Sequence, residues 1–81
     1  MNHVMRITKD EFDDIVIGQL TCVMRKIGKL FMPDDRMIFY YNGSDDTICV
    51  NVINILRGEY YNKRGLKKGY SIINFKISYI M

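Results

Sequence analysis

The side chains best equipped for chemistry form a basic stretch in the second half of the chain. Residues 57–68 contain five of the chain's twelve lysines and arginines, opposed only by Glu59. The five cations are Arg57, Lys63, Arg64, Lys67 and Lys68. A cluster of one sign attracts polyanions such as nucleic acid. The stretch therefore indicates either a polyanion-binding surface or a solvated loop, and the residue types alone leave both open.

Further donors and flat rings are spread along the chain. Arg25 and Lys26, like Lys67 and Lys68, can contact phosphates, and a guanidinium can also pair with two acceptors on a base edge. Tyrosine rings are surfaces on which unpaired bases stack. The candidates are Tyr40, Tyr41, Tyr60, Tyr61 and Tyr70. Because neighbouring strand residues face opposite sides, we expect about half of these rings to serve the core instead.

The chain lacks the sequence motifs of several other chemistries. It has one histidine, His3, no Cys-x-x-Cys and no Walker-type phosphate loop, so we expect neither a metal nor a cofactor. Residues 65–69 are better interpreted as a basic turn, and His3 as a structural histidine. Cys22 and Cys49 each lie in an apolar run, which favours two free, buried thiols and a reducing compartment.

One helix must position part of these residues. Thr8 is followed three residues later by Glu11, a capping box that starts a helix, and Gly18 suits a left-handed C-terminal cap. We therefore predict a helix over residues 9–17. Its acids, Asp10, Glu11, Asp13 and Asp14, match the helix dipole and the polar face. We interpret them in that way rather than as a catalytic pair.

The rest of the chain is typical of strands. Runs rich in β-branched and aromatic residues are separated by turn-forming residues, and they cover residues 3–7, 20–26, 36–42, 47–57 and 70–79. The apolar alternation changes phase near Val52 and Ile53, which predicts a β-bulge and a sheet that curls. In the last strand Ile73, Phe75, Ile77 and Tyr79 are predicted to share one face. The fold class is therefore α+β, mainly β: a small curled sheet or barrel of about five strands with one capped helix.

Size and charge limit the possible functions. The 81 residues are enough for one domain, 1–81, which leaves little room for a deep catalytic cavity. Residues 1–46 hold six lysines and arginines against eight acids, and residues 47–81 hold six against one. No apolar run is long enough to span a bilayer, and the first residues do not follow the order of a secretion signal. We expect a cytoplasmic protein with no membrane partner.

Four landmarks occur along the chain in a characteristic order. They are His-Val-Met-Arg-Ile at residues 3–7, Gly-Gln-Leu-Thr-Cys-Val-Met-Arg-Lys at 18–26, Asp-Asp-Arg-Met-Ile at 34–38, and Gly-Leu-Lys-Lys-Gly-Tyr at 65–70. In this order the chain resembles the short ASCH-type proteins of bacteria and their phages. The resemblance implies a PUA-like barrel, whose relatives bind RNA or modified bases in a cleft beside the helix.

Departures from the family pattern bear on activity. Some ASCH relatives hydrolyse acetylated cytidine with a lysine, a threonine and a glutamate, but here Leu20 and Val23 stand where the lysine and the strand glutamate would be. Neither side chain can activate a nucleophile or move a proton. We therefore expect binding rather than catalysis, and assign no catalytic residue. The predicted nucleic-acid or ligand-binding residues are Thr21, Arg25, Lys26, Arg64, Lys67, Lys68 and Tyr70.

Two alternatives stay open beside an RNA- or nucleotide-binding module. One is a small phage-encoded interaction protein that inhibits a host protein or nucleoprotein in the host cytoplasm, with tyrosines and methionines as interface anchors. The other is a degenerate amidohydrolase in which Asp35 or Glu59 replaces the missing base. Both acids fall in predicted turns, where we expect them to be solvated.

Overall fold

A computed structural model describes residues 2–26, 31–57 and 70–81. The elements in these ranges are β1 (Asn2–Arg6), α1 (Lys9–Val16), β2 (Cys22–Lys26), β3 (Arg36–Tyr40), β4 (Ile48–Arg57) and β5 (Tyr70–Ile80). The predicted class, a small curled sheet with one capped helix, is confirmed. Within the described ranges no helix has the length and apolar character needed to cross a membrane.

The helix begins and ends as its capping residues predict. The Thr8 hydroxyl accepts a hydrogen bond from the Glu11 backbone at 3.1 Å, and the Glu11 carboxylate accepts one from the Thr8 backbone at 3.0 Å. α1 ends at Val16, one residue before the predicted limit; Ile17 is the C-cap, and Gly18 follows with a φ of +80°. Glycine adopts this left-handed conformation without a steric penalty, so it ends the helix in a tight turn.

The five strands form one sheet in the order β1-β3-β4-β5-β2. β1 pairs with β3 in parallel, and the other neighbouring pairs are antiparallel. β1 and β2 are therefore the two edges of the sheet, although α1 alone separates them in the chain. The sheet curls into a half-barrel. Phe12 and Ile15 of α1 belong to the core cluster that the sheet forms, so the helix packs on the concave side.

The predicted β-bulge is confirmed. Val52 pairs with Phe75 and Asn54 pairs with Asn74, which leaves Ile53 as the extra residue on β4. A second irregularity was not predicted: Val50 pairs with Ile77 and Cys49 with Tyr79, so Ser78 is extra on β5.

That second bulge overturns the predicted orientation of Tyr79. Val50 is fully buried, and its partner Ile77 packs against the core. Beyond Ser78 the alternation of β5 is inverted, so Tyr79 lies on the outer face of the sheet with 46% of its surface exposed. Regular alternation along the sequence predicts that Tyr79 lies inside. The prediction is wrong because a one-residue bulge moves every following side chain to the other face.

The core lies between α1 and the concave face of the sheet. Phe39 has no exposed surface, and its ring meets that of Phe75 edge-on, with centroids 5.1 Å apart. The other buried hydrophobic members are Ile7, Phe12, Ile15, Val23, Met37, Ile48, Val50, Val52 and Ile73. Both thiols are free, as predicted. Both lie on the outer face of the sheet: Cys49 is buried on the central strand β4, whereas Cys22, across from Asn74 on the edge strand β2, is only half-buried.

Candidate ligand-binding groove

A groove of about 550 Å³ opens beside the C-terminal end of α1. Among the described residues, the groove is lined by the end of α1 with the turn into β2, by the bulge of β4 and by the middle of β5. The lining residues are Ile15, Gly18, Leu20, Thr21, Ile53, Asn54, Asn74, Phe75, Lys76 and Ile77. The volume lies in the range of pockets that hold small organic ligands.

The turn after α1 shapes one wall of the groove. The backbone N–H groups of Gln19 and Leu20 both donate to the Asp14 carbonyl, at 2.9 and 3.1 Å, and so reverse the chain tightly after Gly18. The Thr21 carbonyl then accepts from the Phe75 backbone at 3.1 Å, which attaches the turn to β5. This local bonding holds Leu20 and the exposed Thr21 at the groove.

The β4 bulge shapes the opposite wall. Because Ile53 has no partner on β5, Asn54 comes to lie directly across from Asn74, and the Asn74 amide donates to the Asn54 side-chain oxygen at 2.7 Å. This bond leaves the two amide hydrogens of Asn54 and the side-chain carbonyl of Asn74 able to bind a ligand. The adjacent Lys76 is exposed and adds a positive charge.

The composition of the walls defines what the groove can hold. Ile53 and the half-buried Ile77 contribute accessible apolar surface, while the paired amides offer both donors and acceptors. Apolar walls with a few placed polar groups are typical of sites for small organic ligands. An anionic group on such a ligand would meet Lys76. Sequence reasoning missed Asn54, Asn74 and Lys76, although the predicted bulge was a usable signal, because bulges redirect side chains at sites.

The described members of the predicted binding set do not all meet at this groove. Thr21 lines it, as does Leu20, whereas Val23 is 3% exposed and belongs to the core. Lys26 and Tyr70 are cross-strand partners at the far end of β2 from Thr21. At roughly 3.3 Å per residue this separation is about 16 Å. Arg64, Lys67, Lys68 and the predicted basic turn at 65–69 lie outside the described residues, as does Glu59.

Arg25 is bound to the helix rather than aimed at the groove. Its guanidinium donates to both carboxylate oxygens of Glu11, at 2.9 and 3.0 Å, and to the Met24 carbonyl at 2.8 Å. Partial burial acts to raise the pKa of Glu11, but hydrogen bonds from the Thr8 backbone and from Arg25 outweigh it and lower that pKa. Glu11 thus joins the start of α1 to β2, and a ligand-binding role for Arg25 stays a prediction.

Replacing Glu11 by alanine is expected to lower the free energy of unfolding by about 1.5 kcal/mol, because the substitution removes half of the capping box and a half-buried ion pair. Urea unfolding followed by circular dichroism would measure the loss. Asp13→Ala is the matched control, since its ion pair with Lys9 is largely exposed and a much smaller change is expected. Equal losses in the two variants would contradict the role given to Glu11.

A second polar cluster lies at the start of β3. His3 Nε2 is 2.7 Å from Asp35 Oδ2, the Met32 backbone donates to the same oxygen at 3.0 Å, and the His3 ring stacks on Phe31 with centroids 3.8 Å apart. The prediction that Asp35 is solvated was wrong, since it is 7% exposed. Hydrogen bonds from His3 and then Met32 lower the pKa of Asp35 to about 2, which makes it a poor general base.

Comparison with known proteins adds no family to this geometry. No protein-family model matches the chain, and no curated protein matches it. The fold and the groove together define a β-rich half-barrel with a ligand-sized recess beside its helix.

Proposed function

We propose that this chain is a non-catalytic module that binds an RNA base or a modified nucleotide in the groove beside α1. The observation that carries the proposal is the Asn54–Asn74 amide pair, set at the bulge between apolar walls and next to Lys76. Membership of the ASCH family, with its PUA-like barrel, is part of the proposal and rests on the four sequence landmarks.

Each part of a nucleotide has a matching group in the groove. A base presents flat apolar faces, which suit Ile53 and Ile77, and an edge of donors and acceptors, which suits an asparagine amide. The Thr21 hydroxyl can donate or accept at the same edge or at the sugar. Lys76 is available for a phosphate, to which a lysine is attracted as a point charge.

The charge distribution supports an anionic ligand. The excess of lysine and arginine in residues 47–81 includes Lys76 at the groove. The proposal keeps Arg64, Lys67 and Lys68 as phosphate contacts of a longer RNA, with Lys26 and Tyr70 at the other end of β2. Phosphate contacts make binding fall steeply with added salt.

Binding is preferred to hydrolysis because the described residues that line the groove include no carboxylate and no histidine. Leu20 lines it at the position where the resembling family carries a lysine, and Val23 occupies the glutamate position. Thr21 remains, but a hydroxyl needs a neighbouring base to become a nucleophile. The degenerate-amidohydrolase alternative would need that base from elsewhere in the chain.

The groove can be tested with ribonucleoside 5′-monophosphates titrated into isotope-labelled protein. We expect the backbone signals of Thr21, Asn54, Asn74 and Lys76 to shift together in the nuclear magnetic resonance spectrum. Asn54→Ala is expected to weaken binding about tenfold, the effect of one well-placed hydrogen bond. Unchanged groove signals at millimolar nucleotide would overturn the proposal.

Asn42→Ala is the matched control for the groove variant. Asn42 is an exposed asparagine in the turn between β3 and β4, and it is not among the lining residues. Its replacement should change mononucleotide affinity less than twofold. A loss equal to that of Asn54→Ala would locate the binding site elsewhere.

The interaction-protein alternative has one structural observation in its favour. Tyr79, Ile80 and Met81 are exposed at the end of β5, and they offer apolar contact area to a protein partner. A host protein that copurifies in stoichiometric amount and is retained after nuclease treatment would favour this alternative over RNA binding.

A further inference from the structure

The outer face of the sheet, which points away from the core, carries charge of one sign. The five described strands contain no aspartate or glutamate. Their exposed charged side chains alternate with buried core residues and are all cationic: Arg6, Lys26, Arg36 and Lys76. Within the described part of the chain, none of these four forms an ion pair. The described acids lie instead on α1 and in the turns.

Two of the cations stand in one row across the sheet. Strand pairing aligns Asn2 with Arg36, Arg36 with Asn51, and Asn51 with Lys76. With neighbouring strands about 4.8 Å apart, Arg36 and Lys76 are separated by about 10 Å, with an amide between them. A single flexible strand of phosphates can follow such a row.

Two exposed aromatic rings lie on the same face, Tyr79 one row and Tyr40 two rows from the charged row. Tyr79 is paired with Cys49, and Cys49 with Ile38, in the next row of the outer face. Tyr40 lies on the same face, 36% exposed, directly across from Arg6. Aromatic rings next to cations on an open surface suit unpaired bases, because every base has a face that can stack. The bases of a duplex are already stacked on one another and cannot use these rings.

From this arrangement we propose that the outer face of the sheet binds single-stranded RNA, with Arg36 and Lys76 on phosphates and Tyr40 and Tyr79 under bases. The inference rests on the proposed function and extends it, because Lys76 belongs both to the row and to the groove. One base enters the groove and the flanking nucleotides cross the sheet. The Asn2 and Asn51 amides of the row can both donate to and accept from a 2′-hydroxyl, which favours RNA over DNA.

The test uses the full chain and a fluorescent single-stranded RNA decamer of mixed sequence, with anisotropy measured over a range of salt concentrations. Arg36→Gln is expected to weaken binding about tenfold at low salt and to reduce the salt slope by about one. Tyr40→Leu is expected to weaken it by a similar factor through lost stacking. Lys9→Gln is the matched charge control, because Lys9 lies on α1, and it should change affinity less than twofold.

Competition experiments and mononucleotide titrations distinguish a failure of the sheet proposal from a failure of the groove proposal. A DNA decamer or inorganic polyphosphate that competes as well as RNA would overturn the assignment, as would tighter binding of duplex RNA. If Asn54→Ala abolishes decamer binding while Arg36→Gln and Tyr40→Leu leave it unchanged, the sheet proposal fails and the groove stands. If the sheet variants weaken decamer binding while mononucleotides leave the backbone signals of the groove unchanged, the groove proposal fails instead. Circular dichroism of each variant checks that it is folded.

Discussion

Replacing Phe39 by alanine is expected to remove about half or more of the free energy of unfolding. Phe39 has no exposed surface, and its ring packs edge-on against Phe75 at the centre of the half-barrel. Truncating a buried phenylalanine costs about 3–5 kcal/mol. A chain of 81 residues has a total stability of about 4–12 kcal/mol. Urea titration followed by circular dichroism should show a midpoint lower by about 3 M, or no cooperative transition.

Tyr40 supplies the control on the same strand. It is the next residue along β3, it is aromatic, and it points to the outer face, where 36% of its surface is exposed. Tyr40→Ala should leave a cooperative transition with a loss of about 1 kcal/mol. A Phe39→Ala protein with a midpoint close to that of the unmodified chain would contradict the placement of this ring at the centre of the core.

The parts of the fold that sequence predicts well are those determined by neighbours in the chain. The capping box of Thr8 and Glu11 and the glycine at position 18 lie within one or two turns of the helix that they delimit. Strand positions follow from local alternation, and the change of phase at Ile53 indicates its bulge because both phases are visible in one strand. The curled mainly-β class follows from those local features.

Pairing between distant strands is less visible in the sequence. His3 meets Asp35 because β1 pairs in parallel with β3, a contact between residues 32 positions apart that no local pattern records. Tyr79 was misplaced because the extra residue, Ser78, is polar and continues an apparently regular alternation. Predicting the groove requires both the geometry of the bulge and the order of the strands. Of its polar lining residues, only Thr21 was therefore predicted.

Lowering the pH is expected to weaken the fold through Asp35. Its carboxylate accepts hydrogen bonds from His3 and the Met32 backbone, and its pKa falls from an ordinary value of 3.8 to about 2. A depressed pKa means that the folded state favours the charged form, so this contribution to stability is complete above 3.8 and is lost as the pH falls toward 2. The measurement is the urea midpoint as a function of pH, for the unmodified chain and for Asp35→Asn.

The variant isolates the contribution of the charge. Asparagine has nearly the same shape, but it does not titrate, so the stability difference between the two proteins should be constant near neutral pH and shrink as the pH falls through 3.8. Asp34→Asn is the matched control, because Asp34 is exposed and its φ of +71° is one that asparagine also adopts readily. The backbones of residues 34 and 35 both bond to Val52, so loosening Asp35 also loosens the start of β3 against β4. A difference that does not vary with pH, or one that Asp34→Asn reproduces, would show that the His3–Asp35 contact does not stabilise the fold through its charge.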